Sequence, residues 1–304
     1  TKTSQSSSFP YYFNISQDKE LTFTPTLNYG GGIDNSQRFK FEYNQITSGG
    51  NIDIDFVFDS DFEKENNNKW LKDASLITKY KTNINEFYKF DIISELQTSK
   101  NYIQTSNLYD EINYKSSLST KVNLHGYNVN KYDDKILVNA STYHVNQNDE
   151  DNKTTPTIIP FVKYYAGKSE YKGSTLSSNY IFYNISRDST TSIHSKKQQK
   201  FSHQIDTTNE YIKWRTKFNL DSETHNQLFY TEDKKVDDRY VSGSYYKLFP
   251  ILGLRMETPF KLKNDIFNLK YIPSAMIVIT PGLSNSNKIS NEDSSITSYS
   301  IENN

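Results

Sequence analysis

The side chains able to do chemistry in this chain do not converge. The five histidines, His125, His144, His194, His203 and His225, form no pair at the spacing a helix face or a strand would need, and a zinc site requires several ligands at fixed spacing. The chain has no cysteine, which removes thiolate metal sites, cysteine nucleophiles and any disulfide framework. Asp53, Asp55, Asp59, Asp61 and Glu63 are as acidic as a calcium loop, but the glycine that permits that loop's sharp bend is missing. Their alternation with Ile52, Ile54, Phe56 and Phe58 reads as the solvated face of a strand. No G-x-S-x-G elbow, Walker loop or G-x-G-x-x-G occurs, and Gly30 to Gly32 reads as a turn between strands with no helix following to receive a phosphate. The residues therefore point to no catalytic step, no metal and no organic cofactor.

Two smaller features remain. Lys196, Lys197 and Lys200 form a basic cluster of the kind that meets lipid phosphates, and read here as a solvated loop. Pro10 and Pro25 lie in or beside successive strands of the first hairpin, whose turn falls near Gln17 to Lys19. Proline removes a ladder donor and is normally confined to edges, strand starts or bulges. The pair is either two ordinary edge prolines or a weakened seam, where fewer interstrand hydrogen bonds lower the cost of parting the strands.

The elements that must carry these residues are strands. In Leu21 to Tyr29, Leu21, Phe23, Pro25, Leu27 and Tyr29 alternate with Thr22, Thr24, Thr26 and Asn28. Phe39, Phe41 and Tyr43 alternate with Lys40, Glu42 and Asn44, and Ser48 to Gly50 closes that hairpin. The same pattern runs through Trp70 to Thr82, Glu86 to Thr98, Lys115 to Tyr127, Lys135 to Val145, Thr157 to Gly167 and Thr175 to Arg187. It is less clear from Lys200 to Lys235 and resumes in Arg239 to Lys261 and Asp265 to Thr280. This gives about thirteen or fourteen strands of about ten residues, longer than the usual five or six of globular sheets and matched to the 9–11 that cross a bilayer. Tight turns such as Ser48 to Gly50 alternate loosely with long polar links such as Asp61 to Lys69 and Asn146 to Thr155, as in a barrel with short turns on one side of the membrane.

Composition agrees. Of 304 residues, 34% are hydrophobic and 14% aromatic, with 24 Tyr and 18 Phe, whereas disordered polar chains are poor in aromatics. Alanine occurs only at 74, 140, 166 and 275, so the best helix former is scarce while strand formers abound. No apolar run nears the roughly 20 residues of a membrane-spanning helix. The balance of 35 basic against 36 acidic groups gives no field to steer nucleic acid. The expected fold is all-β: an antiparallel up-and-down transmembrane barrel segment without an internal domain boundary over 1–304.

An ordered series of motifs then resembles one family. Phe9-Pro10-Tyr11-Tyr12-Phe13-Asn14-Ile15 followed by Leu21-Thr22-Phe23-Thr24-Pro25 resembles the opening of the barrel domain of the LptD family, the lipopolysaccharide assembly proteins of the outer membrane. Trp70-Leu71, Asn101-Tyr102-Ile103, Phe249-Pro250-Ile251-Leu252-Gly253-Leu254, Thr258-Pro259-Phe260, Tyr271-Ile272-Pro273 and Ile289-Ser290-Asn291-Glu292-Asp293-Ser294 are similar to later landmarks in the same order. Ile272 departs from the family's usual Glu before proline. The cysteines that tie barrel to periplasmic domain in some members are absent, so disulfide-controlled maturation does not carry over.

The resemblance implies a Gram-negative outer-membrane protein with a barrel of about twenty-six strands, preceded by a periplasmic jelly roll and plugged by a partner lipoprotein. It implies that lipopolysaccharide arrives from a periplasmic transport bridge and leaves sideways between first and last strands, with Pro10 and Pro25 loosening that lateral gate. The chain then reads as the N-terminal half of such a barrel, lacking the jelly roll and the closing strands and leaving an open sheet with two free edges. Phe23, Leu27, Tyr29, Phe39, Phe41 and Tyr43 are expected to face lipid, and Thr22, Thr24, Thr26, Lys40, Glu42, Asp53 and Asp55 the lumen. Two alternatives stay open: another outer-membrane barrel such as a diffusion porin, with a closed strand set and a charged constriction loop, and a soluble extracellular β-protein that binds glycans.

Overall fold

The computed structural model describes residues 5–29, 36–61, 71–109, 111–130, 133–146, 152–263, 268–281 and 287–290. Strand makes up 73% of it and helix 3%, so the all-β expectation holds. In chain order the first strands are β1 (Gln5–Ser8), β2 (Tyr11–Ser16), β3 (Lys19–Tyr29), β4 (Ser36–Thr47), β5 (Gly50–Asp61), β6 (Leu71–Asn83) and β7 (Tyr88–Gln97). A short helix α1 (Tyr102–Ser106) precedes β8 (Ser117–Tyr127), β9 (Lys135–Val145), β10 (Thr157–Tyr171) and β11 (Ser174–Ser186). The rest are β12 (Lys197–Lys213), β13 (Thr216–Val236), β14 (Arg239–Glu257), β15 (Phe260–Lys263), β16 (Asn268–Tyr271) and β17 (Ser274–Ile279).

These strands form one antiparallel, up-and-down sheet of 15 strands in the order β1-β3-β4-β5-β6-β7-β8-β9-β10-β11-β12-β13-β14-β17, with β2 pairing β3 beside that path. β15 and β16 make a separate two-stranded sheet. Among the described residues no pairing joins the two ends of the order into a closed barrel. The chain divides into two compact units, residues 1–125 with 139–158, and residues 126–138 with 159–304.

In the first unit the pairings are hairpins whose turns sit where sequence places them, at Gln17–Asp18 and Ser48–Gly49. Gly50 is required at its position, because a Cβ there would overlap the backbone carbonyl of Lys81 on β6. The two-residue tips at 172–173, 214–215 and 237–238 belong to the second unit and hold left-handed residues, as tight hairpin turns demand.

Several details correct the sequence reading. Lys197 and Lys200 are not in a loop: both are in β12, and Lys200 is buried. The stretch 200–235 that patterned poorly holds β12 and β13, and β13 and β14 run for 21 and 19 residues rather than about ten. Arg239 to Lys261 is not one strand but β14 and the start of β15, and Asp265 to Thr280 divides into β16 and β17. Tyr102 and Ile103 open α1, a helix the composition gave no reason to expect. Gly30 to Gly32, Glu63, Trp70 and residues 291–304 lie outside the described residues, as does the side chain of Tyr29.

Candidate functional site

The free N-terminal edge comes first. β1 and β2 are two halves of one strand along β3: Ser8 pairs with Thr26, Tyr11 with Phe23, and the break between the halves is Phe9-Pro10. The Phe9 N–H donates to the Pro25 carbonyl at 3.0 Å, and Pro25 has no N–H to return that bond. Because successive backbone groups of a strand point to opposite sides, the Pro10 nitrogen points away from β3. The two prolines thus act on different ladders. Pro25 thins the pairing between the edge strand and β3, while Pro10 deletes a donor from the free edge. The edge strand itself is thinly held, with Tyr11, Tyr12, Phe13 and Ile15 all exposed and a register irregularity between Asn14 and Ser16. Side-chain ties remain from Ser8 to Thr26 (2.9 Å) and from the Tyr12 hydroxyl to Glu20 (2.7 Å).

Register sorts this unit into two faces. Residues directly paired across an antiparallel sheet share a face, and Phe23 pairs with Phe41, Pro25 with Phe39 and Leu21 with Tyr43. The row continues through Ile54, Phe56 and Phe58 of β5, giving a ladder of rings with centroids 4.8 Å apart for Phe23–Phe41 and 5.0 Å for Phe39–Phe58. Leu27 lies on the same face. The opposite face carries Thr22, Thr24 and Thr26, then Arg38, Lys40 and Glu42, then Asp53, Asp55 and Asp59. Two ion pairs lie within the face, Arg38 with Asp59 at 2.8 Å and Lys40 with Glu42 at 2.6 Å.

That charged face is not simply solvated. The link between β7 and β8 folds back over it: Ile103 and Ile112 are buried against Ile77 and Leu118, and the Arg38 guanidinium donates to the Ser106 carbonyl at 3.3 Å. Gln97 fastens the base, accepting from the Ile103 N–H at 3.0 Å and donating to the Lys100 carbonyl at 2.6 Å. The Lys40 ammonium lies 5.8 Å from the ring centre of Tyr109. Burial pushes the Tyr109 phenol up to about 12 and raises that of Tyr102 as well, so both stay neutral at ordinary pH.

The second unit has the most informative pattern. Across β11 to β14 and β17, the face holding Leu176, Phe182, Phe201, Leu220, Leu228, Leu248, Leu252, Leu254 and Ile277 carries no Asp, Glu, Lys or Arg among the paired positions from Tyr211 to Tyr230. Its aliphatic side chains are exposed, Leu252 by 49% and Ile277 by 67%. The reverse face holds the charged residues together with Phe229, Phe249 and Ile251, and its polar groups are buried: Asp221, Glu223, His225 and Gln227 are each less than 10% exposed. This inverts the ordinary rule for soluble proteins, where buried carboxylates are the exception.

The buried polar groups are tied to one another. Asp221 accepts from the Arg255 guanidinium at 3.0 Å and from Thr208 at 2.8 Å. Gln204 donates to Asp206 and Glu223, and Glu223 meets the His225 ring. Asp206, Thr208, Asp221, Glu223 and Arg255, together with Lys168 and Tyr165, line a groove of about 530 Å³ that could take a hydroxyl-rich ligand or a polar partner surface. Further along the same face the Lys200 ammonium sits 5.8 Å from the Tyr183 ring centre and 5.4 Å from that of Phe229. Lys200→Ala is expected to cost about 2–5 kcal/mol of unfolding free energy, as other large buried truncations do. Lys200→Met, which keeps the length and loses only the cation, should cost clearly less; urea unfolding ranks the two.

No protein-family model matches this chain, and no curated protein matches it. Among the described residues no group of three or more His, Asp or Glu is placed to hold a metal ion. Sequence reasoning placed the first-hairpin residues on their strands but missed the polar face of β12 to β14. The signal was there, since Asn219, Asp221, Glu223, His225 and Gln227 alternate with Leu220, Ser222, Thr224, Asn226 and Leu228, but three of these five outward positions are themselves polar and blur the period.

Proposed function

We propose that this chain is part of an outer-membrane β-barrel that moves lipopolysaccharide into the outer leaflet through a lateral seam at its N-terminal edge. The observation that carries the membrane reading is the uncharged, exposed face of the second unit. Along β14 it runs from Tyr246 to Met256, about ten residue steps of about 3.4 Å; a tilt of about 45° reduces the resulting 34 Å to about 24 Å, close to the apolar band of a bacterial barrel. Polar groups then line the lumen, where the saccharide part of the lipid passes or a plug lipoprotein sits. The ring ladder of the first unit, from Phe23 to Phe58, is the corresponding lipid face there.

The seam follows from the chemistry of the cargo. Acyl chains cost about 0.8 kcal/mol per CH₂ exposed to water, so release through an aqueous mouth is prohibitive. An opening beside Pro10 keeps them in hydrocarbon. The missing donor of Pro10 weakens any strand that closes against this edge, and Pro25 lets the edge strand give way on its other side. Restoring both donors with Pro10→Ala and Pro25→Ala should lower lipopolysaccharide delivery severalfold in cells while leaving the folded amount at the membrane unchanged. Undiminished delivery would remove the prolines from the mechanism.

A second reading, a diffusion channel, is favoured by one observation: the β7–β8 link seated on a charged face, as a constriction segment would be. A channel passes small hydrophilic solutes in its native form, whereas the lipid transporter is tight until that segment is displaced. Sugar uptake by vesicles holding the native protein separates them.

A further inference from the structure

The hairpin tips of the second unit on the β11–β12–β13 side share an unusual composition. At the first, the Lys172 ammonium lies 5.0 Å from the ring centre of Tyr171; at the next, Lys213 lies 4.4 Å from that of Trp214. The Glu210 N–H donates to the Gly173 carbonyl at 3.0 Å, so the two tips are neighbours. Trp214 is 85% exposed and Tyr171 71%.

The backbone at the second tip sharpens the point. Trp214 and Arg215 have φ of +51° and +66°, the left-handed pair of a two-residue hairpin turn. Asn, Asp and Gly suit those positions, and the other tips use them: Gly173 in one, Asp237 and Asp238 in another. A Trp and an Arg are strained there, and the indole, 85% exposed, has little packing to offset that strain. Strain held at an exposed site points to a use for the side chains themselves. Lys213 and Arg215 have no carboxylate partner among the described residues.

The tip continues directly from the uncharged face, since Tyr211 pairs with Phe218 and Phe218 with Met256, at the end of the apolar band. An aromatic with cations just beyond an apolar band matches the interfacial layer of a bilayer, where indoles sit at headgroup level and Lys or Arg meet phosphates. We infer that the Lys213-Trp214-Arg215 tip, with Tyr171-Lys172 beside it, is a docking site for the phosphate-bearing headgroups of the membrane lipids around the protein. This rests on the membrane reading above and adds to it a defined site and a ligand chemistry.

The test uses the full chain with Trp70→Phe, so that Trp214 is the sole tryptophan, reconstituted in phosphatidylcholine vesicles with or without phosphatidylglycerol. Brominated lipids labelled near the headgroup or at mid-chain act as quenchers. The expected result is stronger quenching by the shallow label, an increase of about twofold with the anionic lipid at low salt, and loss of that increase in Lys213→Gln with Arg215→Gln. A second reporter, Leu254→Trp with both native tryptophans changed to Phe, sits in the band and should be quenched by the mid-chain label. If Leu254→Trp is quenched deep while Trp214 is unquenched or indifferent to anionic lipid, the headgroup site is wrong and the membrane reading stands. If neither is quenched, both are wrong.

Discussion

Arginine at position 252 is expected to lower the folding free energy into phospholipid vesicles by about 2–4 kcal/mol, the cost of a cation on the lipid face near the bilayer midplane. Leu252 lies on the uncharged face of β14, opposite Ser222, and is half exposed. In water an exposed leucine replaced by arginine is nearly neutral, within about 0.5 kcal/mol. The same substitution therefore has two very different expected outcomes for a membrane barrel and for a soluble glycan-binding protein. Tyr246→Arg, at the end of the band, should cost no more than about 1 kcal/mol, because the penalty falls toward the interfaces. A depth gradient between 252 and 246, read by urea titration in vesicles, is a signature that surface substitution in a soluble protein does not produce.

The second large effect is at Ile103. Its side chain is fully buried between Ile77, Ile112 and Leu118, the seat of the β7–β8 link. Ile103→Asp places a carboxylate among these apolar groups, which costs several kcal/mol unless the link leaves. Ties such as those of Thr98 to Ala74 and Lys115 to Glu95 hold the ends of the link, while its middle is tied by Arg38 to Ser106 and by the Gln97 clamp, at about 1 kcal/mol each. The link is expected to unseat while β6 and β7 stay paired. In planar bilayers the variant should conduct ions where the native protein does not, and proteolysis should cut within 98–116. Unchanged conductance together with resistance to cleavage would show that the link is not a plug.

How much of this was legible in sequence depends on where each residue sits. The first hairpins read correctly because Phe23, Phe39, Phe41, Phe56 and Phe58 alternate with charged or hydroxylic residues except at Val57, and period two is the direct imprint of a pleated strand. Lys200 was misread because a lysine near two others in a polar stretch looks like a loop; its burial depends on Tyr183 and Phe229, which lie on two other strands, and no local pattern carries that. The length of β13 was hidden for a similar reason: outward Ser222, Thr224 and Asn226 are polar, and pairing with β12 and β14 extends the strand beyond what its own hydrophobicity marks. The α1 link escaped altogether, since Ile103 and Ile112 find their partners on β6 and β8 rather than on neighbouring turns. The prolines were visible at once, but which ladder each one interrupts follows only from the Phe9–Pro25 hydrogen bond.

The proposed route of lipopolysaccharide out of the barrel runs beside the N-terminal edge strand. A photoreactive phenylalanine placed at Tyr11 in the intact protein, in living cells, tests it most directly, with the same group at Tyr246 as the distant lipid-facing control. Both side chains are exposed, by 54% and 66%. Lipopolysaccharide adducts are expected at position 11 severalfold above those at 246, and fewer of them when Pro10→Ala and Pro25→Ala are present. Equal labelling at the two positions, or none at 11, would contradict this route.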